Sequence, residues 1–234
     1  MFSEKLLSIQ NTIFDSCENF TRKKNWLFIL VVTLPLVVLF FSFPSYDRLN
    51  NEFSENWQAI FKQAAGPLTD HQYNPDSHQA KLTFRLTVPL IIRTFHLNLA
   101  GVLIFQALIG MLLFYFAAKL FHRETNDKVS ALLLSFSLAF IYAGRVSFNE
   151  IRGIFDGLAL FFMVWSMYFR NPFLIFTGVF LAAWTDERAL IASCLVFLYW
   201  IYWHKNNSGD WKILNSGSVA VFLAWIFYFA FDIT

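Results

Sequence analysis

From residue 26 onward the chain is a succession of long apolar runs separated by short polar breaks. Seven runs stand out, at 26–43, 97–121, 129–143, 154–169, 172–183, 189–203 and 213–231. None has the period-two alternation of a barrel strand. Backbone polar groups in lipid must be satisfied within their own segment, so each run predicts a helix. Several fall short of the about 20 residues of an ordinary span. Ahead of the first run, Phe2, Leu6, Ile9, Ile13, Cys17 and Phe20 recur at helical spacing, with Glu4, Lys5, Asp15 and Glu18 elsewhere on the surface. This predicts an amphipathic helix lying on a membrane and leading into the first span. The first 25 residues have no apolar h-region and no cleavage site follows the first run, so a removable signal peptide is not expected.

One break differs from the rest. Asp186, Glu187 and Arg188 interrupt apolar sequence whose flanks, 172–183 and 189–203, have 12 and 15 residues. At 1.5 Å per residue each flank reaches only about 18–23 Å, against a hydrocarbon core of about 30 Å. A charge at the centre of a bilayer costs about 2.5–3.5 kcal/mol on insertion scales, which makes such residues rare and usually functional. Two alternatives stand: a polar wall of a water-filled pocket, or an internal salt bridge that packs two helices.

Composition sharpens the class. Of 234 residues, 57% are hydrophobic and 15% charged, with 30 Phe, whereas soluble domains average about 25% charged. The expected fold is therefore all-α: a polytopic transmembrane helical protein of about seven spans, with a long non-cytoplasmic first loop carrying membrane-parallel helices. Residues 1–25 form a cytoplasmic amphipathic N-terminal segment. Residues 26–234 form a single transmembrane domain whose first extramembrane loop is 44–96. No basic block points to nucleic acid. Cys17 and Cys194 have neither disulfide nor metal spacing and read as small buried side chains.

Lys and Arg divide ten to eight across the two faces of a seven-span topology, so the overall bias decides little. The tight cluster Arg22, Lys23 and Lys24 against the first run decides instead, placing the N-terminus in the cytoplasm. Asp47, the first loop, the connection 145–156 and the charges at 186–188 then share the non-cytoplasmic face.

Within the first loop, Phe53, Trp57, Ile60, Phe61 and Ala64 form a helical stripe stopped by Gly66 and Pro67, expected to lie on the membrane with Trp57 at headgroup depth. A further helix is expected from near Gln79. Asp47, directly after the first run, is either an interfacial acid or a general base. Asp70, His71, Asp76 and His78 are candidate ligands for a divalent metal ion, although their spacing fits no fixed motif and solvated loop residues are the alternative. Glu150 and Arg152 point apart on a helix, whereas Arg152 and Asp156 are four apart and can pair. That cluster is either an ion pair at a helix end or an arginine presented to a phosphate. No Gly-x-Ser-x-Gly elbow, His-Glu-x-x-His or phosphate-binding glycine loop is present. Phe155-Asp156-Gly157 lacks the Gly-x-Gly-Asp element of intramembrane aspartyl proteases.

Three stretches together resemble the amino-terminal, seven-helix core of the GT-C glycosyltransferases, polytopic enzymes that use polyprenyl-phosphate-linked sugars. Tyr46-Asp47 is similar to the catalytic acid that ends their first span. Arg85-Leu86-Thr87-Val88-Pro89-Leu90 is similar to the Arg-x-x-x-Pro that begins their second. Residues 178–190, ending in Asp186, Glu187, Arg188, Ala189 and Leu190, resemble their Gly-x-x-x-Gly/Ala helix with a charged end facing the lipid phosphate. The resemblance covers about residues 26–231 and is one of architecture. Where the family carries an acidic pair, Asp47 is followed here by Arg48, with Glu52 and Glu55 further on.

The resemblance implies transfer of a sugar from a polyprenyl-phosphate donor to a lipid or glycan acceptor on the non-cytoplasmic face. Asp47 is then the base. Arg152 and Arg188 hold the donor phosphate, while Asp186 and Glu187 orient Arg188 or bind a metal. Arg85, Glu150 and Asp156 complete the substrate-binding set. The expected partners are membrane lipids, the lipid-linked donor and other membrane subunits, and the expected location is a bacterial inner membrane. The rival class is a non-catalytic integral subunit of a larger complex or transport system, whose polar clusters are interhelical glue. A transporter of broken helices is a third reading, without the internal repeat it usually shows.

Overall fold

A computed structural model describes residues 2–42, 55–66, 85–149, 153 and 155–232. The described residues form helices and the turns between them, with no strand among them. The described residues of the seven apolar runs are mostly helical, some runs being broken, and the amphipathic N-terminus forms a helix as well.

Helix α1 (Phe2–Thr21) meets α2 (Trp26–Ser42) across a four-residue turn, and the two are bent by 118°. Cys17 and Phe20 of α1 pack on the core, while Leu7, Ile9, Ile13 and Phe14 remain exposed. Helix α2 is apolar all round, and Leu30, Leu34 and Val38, spaced four apart, make its buried stripe. They pack on Phe114 and Ala118 of α5 (Leu99–Thr125), leaving Phe28, Leu36, Phe40 and Phe41 on the surface.

Between them come α3 (Glu55–Ala65) and α4 (Thr87–Phe95). Of the expected apolar stripe, Trp57, Ile60 and Ala64 fall on α3 and are buried against protein, while Phe53 lies outside the described residues. Trp57 is 2% exposed, edge-on to Phe155 at 5.9 Å, and shares a core with Ile60, Val88 and Ile92. The α4 helix gives α3 an apolar wall to bury against, which a lone helix on a bilayer surface lacks. The helix expected from Gln79 lies outside the described residues.

Two tight hairpins follow. Asn126, left-handed at φ 53°, ends α5, and Asp127 begins α6 (Lys128–Phe140) by accepting from the amides of Val129 and Ser130. Such a short turn forces α5 and α6 to run antiparallel. The run at 129–143 does not continue as one helix: it breaks at Ile141, and α7 (Tyr142–Asn149) turns back over α5. In the second hairpin Asn171 caps α9 (Pro172–Thr185) after α8 (Asp156–Tyr168), with Pro172 in the first turn, where a missing N–H costs nothing. Gly178 lets α9 approach α8 so closely that a Cβ there would strike Ser166 Oγ. Small residues at contacts are how helices pack where lipid tails are as apolar as leucine.

The chain then breaks at Asp186, continues through α10 (Glu187–Ala192) and α11 (Cys194–Ser208), and ends in α12 (Ser216–Asp232). Trp200 of α11 and Val221 of α12 pack against Ile175 and Val179 of α9.

Among the described residues, α5 is the one helix long and apolar enough to cross a membrane alone; the bent pair α1–α2 passes the same test jointly. Helices α6, α8, α9 and α12 are apolar but shorter, in the 10–17 residue range.

Candidate functional site

The break after α9 organises the site. Asp186 leaves the helix with extended backbone (φ −152°, ψ 122°) and caps the next one, its Oδ1 accepting from the Arg188 amide at 3.1 Å. Its carboxylate also holds the Arg188 side chain: Nε donates to Oδ1 at 3.1 Å and Nη2 to Oδ2 at 2.7 Å. Nη2 of Arg188 donates in addition to Asp156 Oδ1 at 2.7 Å. One guanidinium nitrogen thus sits between two carboxylates, from the start of α8 and the end of α9.

Arg85, just ahead of α4, closes the cluster. Its Nε donates to Glu187 Oε2 and its Nη2 to Oε1, both at 3.1 Å, while Nη2 also reaches Asp186 Oδ1 at 3.4 Å. The remaining nitrogen, Nη1, is buried with no hydrogen-bond partner among the described residues. Thr87 Oγ1 donates to the Leu181 carbonyl at 3.1 Å, fixing the first turn of α4 against the last turns of α9.

The five groups differ in access. The side chains of Asp186, Arg85 and Asp156 are 6%, 11% and 14% exposed, against 43% for Glu187 and 62% for Arg188. Arg188 is therefore the most accessible charge of the cluster. Its Nε and Nη2 are held by the carboxylates, which fixes the guanidinium plane. The formal charge of the cluster is two positive against three negative.

Beside it runs an apolar groove of about 280 Å³, lined by Thr87, Leu90, Ile91, Thr94 and Phe95 of α4, Phe162 of α8, and Phe180, Leu181 and Trp184 of α9. Thr87 lies two residues from Arg85 and Trp184 two residues from Asp186, so the groove begins where the charges end.

Of the residues singled out by sequence, Arg85, Asp156, Asp186, Glu187 and Arg188 come together here. Asp47, His71, Asp76, His78, Glu150 and Arg152 lie outside the described residues, as does Asp70. One pairing differs from expectation. Glu187 braces Arg85, not Arg188, because it starts α10 and points toward α4. Asp156 accepts from Arg188, while its expected pairing with Arg152 falls on a residue outside the described ones. Asp186 and Glu187 spend their oxygens on guanidinium groups, and among the described residues no set of three or more His, Cys, Asp or Glu side chains is placed to hold a metal ion.

Sequence reasoning missed the groove, whose walls come from three separated helices. Only Trp184, an aromatic next to the charged break, hinted at it. The sequence matches no protein-family model, and neither curated proteins nor solved structures include a match.

Proposed function

We propose that the chain is a multi-pass membrane protein of the bacterial inner-membrane type that transfers a sugar from a polyprenyl-phosphate donor to a lipid or glycan acceptor. The observation that carries this reading is the exposed, carboxylate-braced Arg188 beside an apolar groove. A lipid-linked phosphate needs both: a cation at its head and a slot for its tail. The many exposed apolar side chains, among them Phe28, Phe40, Ile104, Leu108, Phe173, Leu195 and Leu198, support a membrane setting, since large exposed apolar surface on a water-soluble monomer is uncommon.

In the reaction, an acceptor hydroxyl oxygen attacks the anomeric carbon and the bond from that carbon to the phosphate oxygen breaks. The electron pair leaves with the phosphate, and the hydroxyl proton passes to a base, the role proposed for Asp47. Arg188 stabilises the charge that grows on the departing phosphate, and Arg152 is proposed to share that task. Asp156 and Asp186 keep Arg188 oriented before the donor arrives, so little reorganisation is needed during the reaction.

The test is sugar transfer from a polyprenyl-phosphate sugar by the purified protein in detergent, with Asp47→Asn and Arg188→Ala. Loss of transfer in both variants, with folding intact, supports the enzyme. A second reading, a non-catalytic subunit, is favoured by the same ion pairs, which tie α4, α8 and α10 together as structural glue. It prevails if no polyprenyl-phosphate binds the wild type and the variants instead lose a co-purifying membrane partner.

A further inference from the structure

At the opposite end of α8 from the Arg188 cluster lies an open cavity of about 410 Å³, lined by Lys119, His122, Arg123, Tyr168, Phe169 and Arg170. Three cationic side chains and a histidine line it, and no carboxylate does. The cations are in different states. Arg123 is fully engaged: Nη1 donates to the Tyr168 carbonyl at 2.7 Å, Nη2 to the Met167 carbonyl at 2.8 Å and to Tyr199 Oη at 2.6 Å, and Nε to Glu124 at 3.0 Å. It closes the carbonyl end of α8, and Glu124 balances its charge from outside the cavity.

Lys119 and Arg170 have no carboxylate partner among the described residues. Lys119 Nζ rests over the Tyr115 ring at 4.9 Å and Arg170 over the Trp203 ring at 4.9 Å. Both contacts hold a cation in place without neutralising it. Tyr168 and Phe169 give the same cavity aromatic surface, and both rings pack on Phe116, at 4.9 and 5.5 Å. A lining of cations and aromatic rings matches a ligand that is anionic at one end and apolar at the other. The orientation read from Arg22, Lys23 and Lys24 puts this end on the cytoplasmic side, where basic pockets between spans take phosphate headgroups.

We propose that the cavity between the C-terminal ends of α5 and α8 and the start of α9 binds the phosphate of an anionic membrane lipid, held by Lys119 and Arg170. The proposal rests on the membrane setting but not on sugar transfer, and it fails or stands independently of the Arg188 cluster.

Native mass spectrometry of the full chain released from detergent tests it, with phosphatidylglycerol, phosphatidylcholine or inorganic phosphate added in separate arms. Phosphatidylglycerol should be retained in preference to phosphatidylcholine. Lys119→Ala with Arg170→Ala should lower that retention roughly thirtyfold, from about 1 kcal/mol of headgroup attraction per cation. Arg170→Ala alone, in an exposed turn where folding is not at stake, should lower it about fivefold. Lys128→Ala, at the same end but outside the cavity, should leave it unchanged. Displacement of the lipid by millimolar inorganic phosphate would support the anion site while assigning it to a soluble phosphate. Equal retention of the two lipids, or an equal loss in Lys128→Ala, would overturn the proposal.

Discussion

Arg85 and Glu187 stand 102 residues apart in sequence and meet through two parallel hydrogen bonds of 3.1 Å, Nε to Oε2 and Nη2 to Oε1. The fork geometry of guanidinium and carboxylate makes this a directional link between the approach to α4 and the start of α10.

Arg85→Ala should destabilise the protein by about 2 kcal/mol, because Asp186 loses one of its two arginines while staying buried. Glu187→Gln should cost less, about 0.5–1 kcal/mol, since solvent screens its half-exposed carboxylate. Denaturant unfolding of both single variants and the double variant would reveal the coupling. Strictly additive losses would mean that the pair is not a unit.

Arg188 bears on stability as well as on activity. Arg188→Ala leaves the buried carboxylates of Asp156 and Asp186 without their nearest cation, so it should cost at least about 2 kcal/mol in denaturant unfolding. If it holds a donor phosphate, the same change should reduce polyprenyl-phosphate binding at least about tenfold. Arg188→Lys should recover only part, because an ammonium cannot bridge Asp156 and Asp186 while offering a planar second face. Full recovery by lysine would reduce the site to a simple point charge.

Gly157 and Gly178 are among the glycines that set helix spacing. A Cβ at Gly157 would collide with the backbone of Ser147, and one at Gly178 with Ser166 Oγ. Gly157→Ala should be the more harmful, costing about 1–3 kcal/mol, since a backbone atom yields less than a hydroxyl. Thermal unfolding in detergent distinguishes the two, and the reverse order would show that α7 moves aside more readily than the geometry implies.

Asp127 gives a pH signature. Hydrogen bonds from Ser130, side chain first and then backbone, hold its carboxyl below the ordinary 3.8. A depressed folded-state value means that its contribution is complete above the unfolded value and is lost as pH falls through the folded one. Stability should therefore decline below about pH 4 in the wild type and less steeply in Asp127→Ala, which should itself cost about 0.5–1 kcal/mol at neutral pH. Parallel pH profiles for the two proteins would refute the assignment.

Most helix positions were legible because hydrophobic periodicity is local. The caps at Asn126, Asp127 and Asn171 that bound the hairpins came into view only in the fold. The interruption at Asp186 was legible because it too is local, a charge run in apolar sequence. What the charges bind was not. Arg85 reaches Glu187 only once the α8–α9 hairpin has formed, and no local rule connects them. Arg123 illustrates the limit from another side. In sequence it is one more positive charge near a helix end, yet in the fold its guanidinium meets the carbonyl end of α8 and the Tyr199 hydroxyl of α11. Trp57 shows the converse, an aromatic whose membrane-facing look came from ignoring the helix that covers it.

Arg123 joins three helices at one point, α5, α8 and α11, while the groove and the Arg188 cluster lie near the far end of α8. Helix α8, with 13 residues, is about 20 Å long. It is clasped at both ends, by Arg123 on its last carbonyls and by Arg188 on Asp156 at its start. A strut held at both ends keeps its direction, so the groove wall that α8 carries stays at a fixed distance from the cavity at its other end.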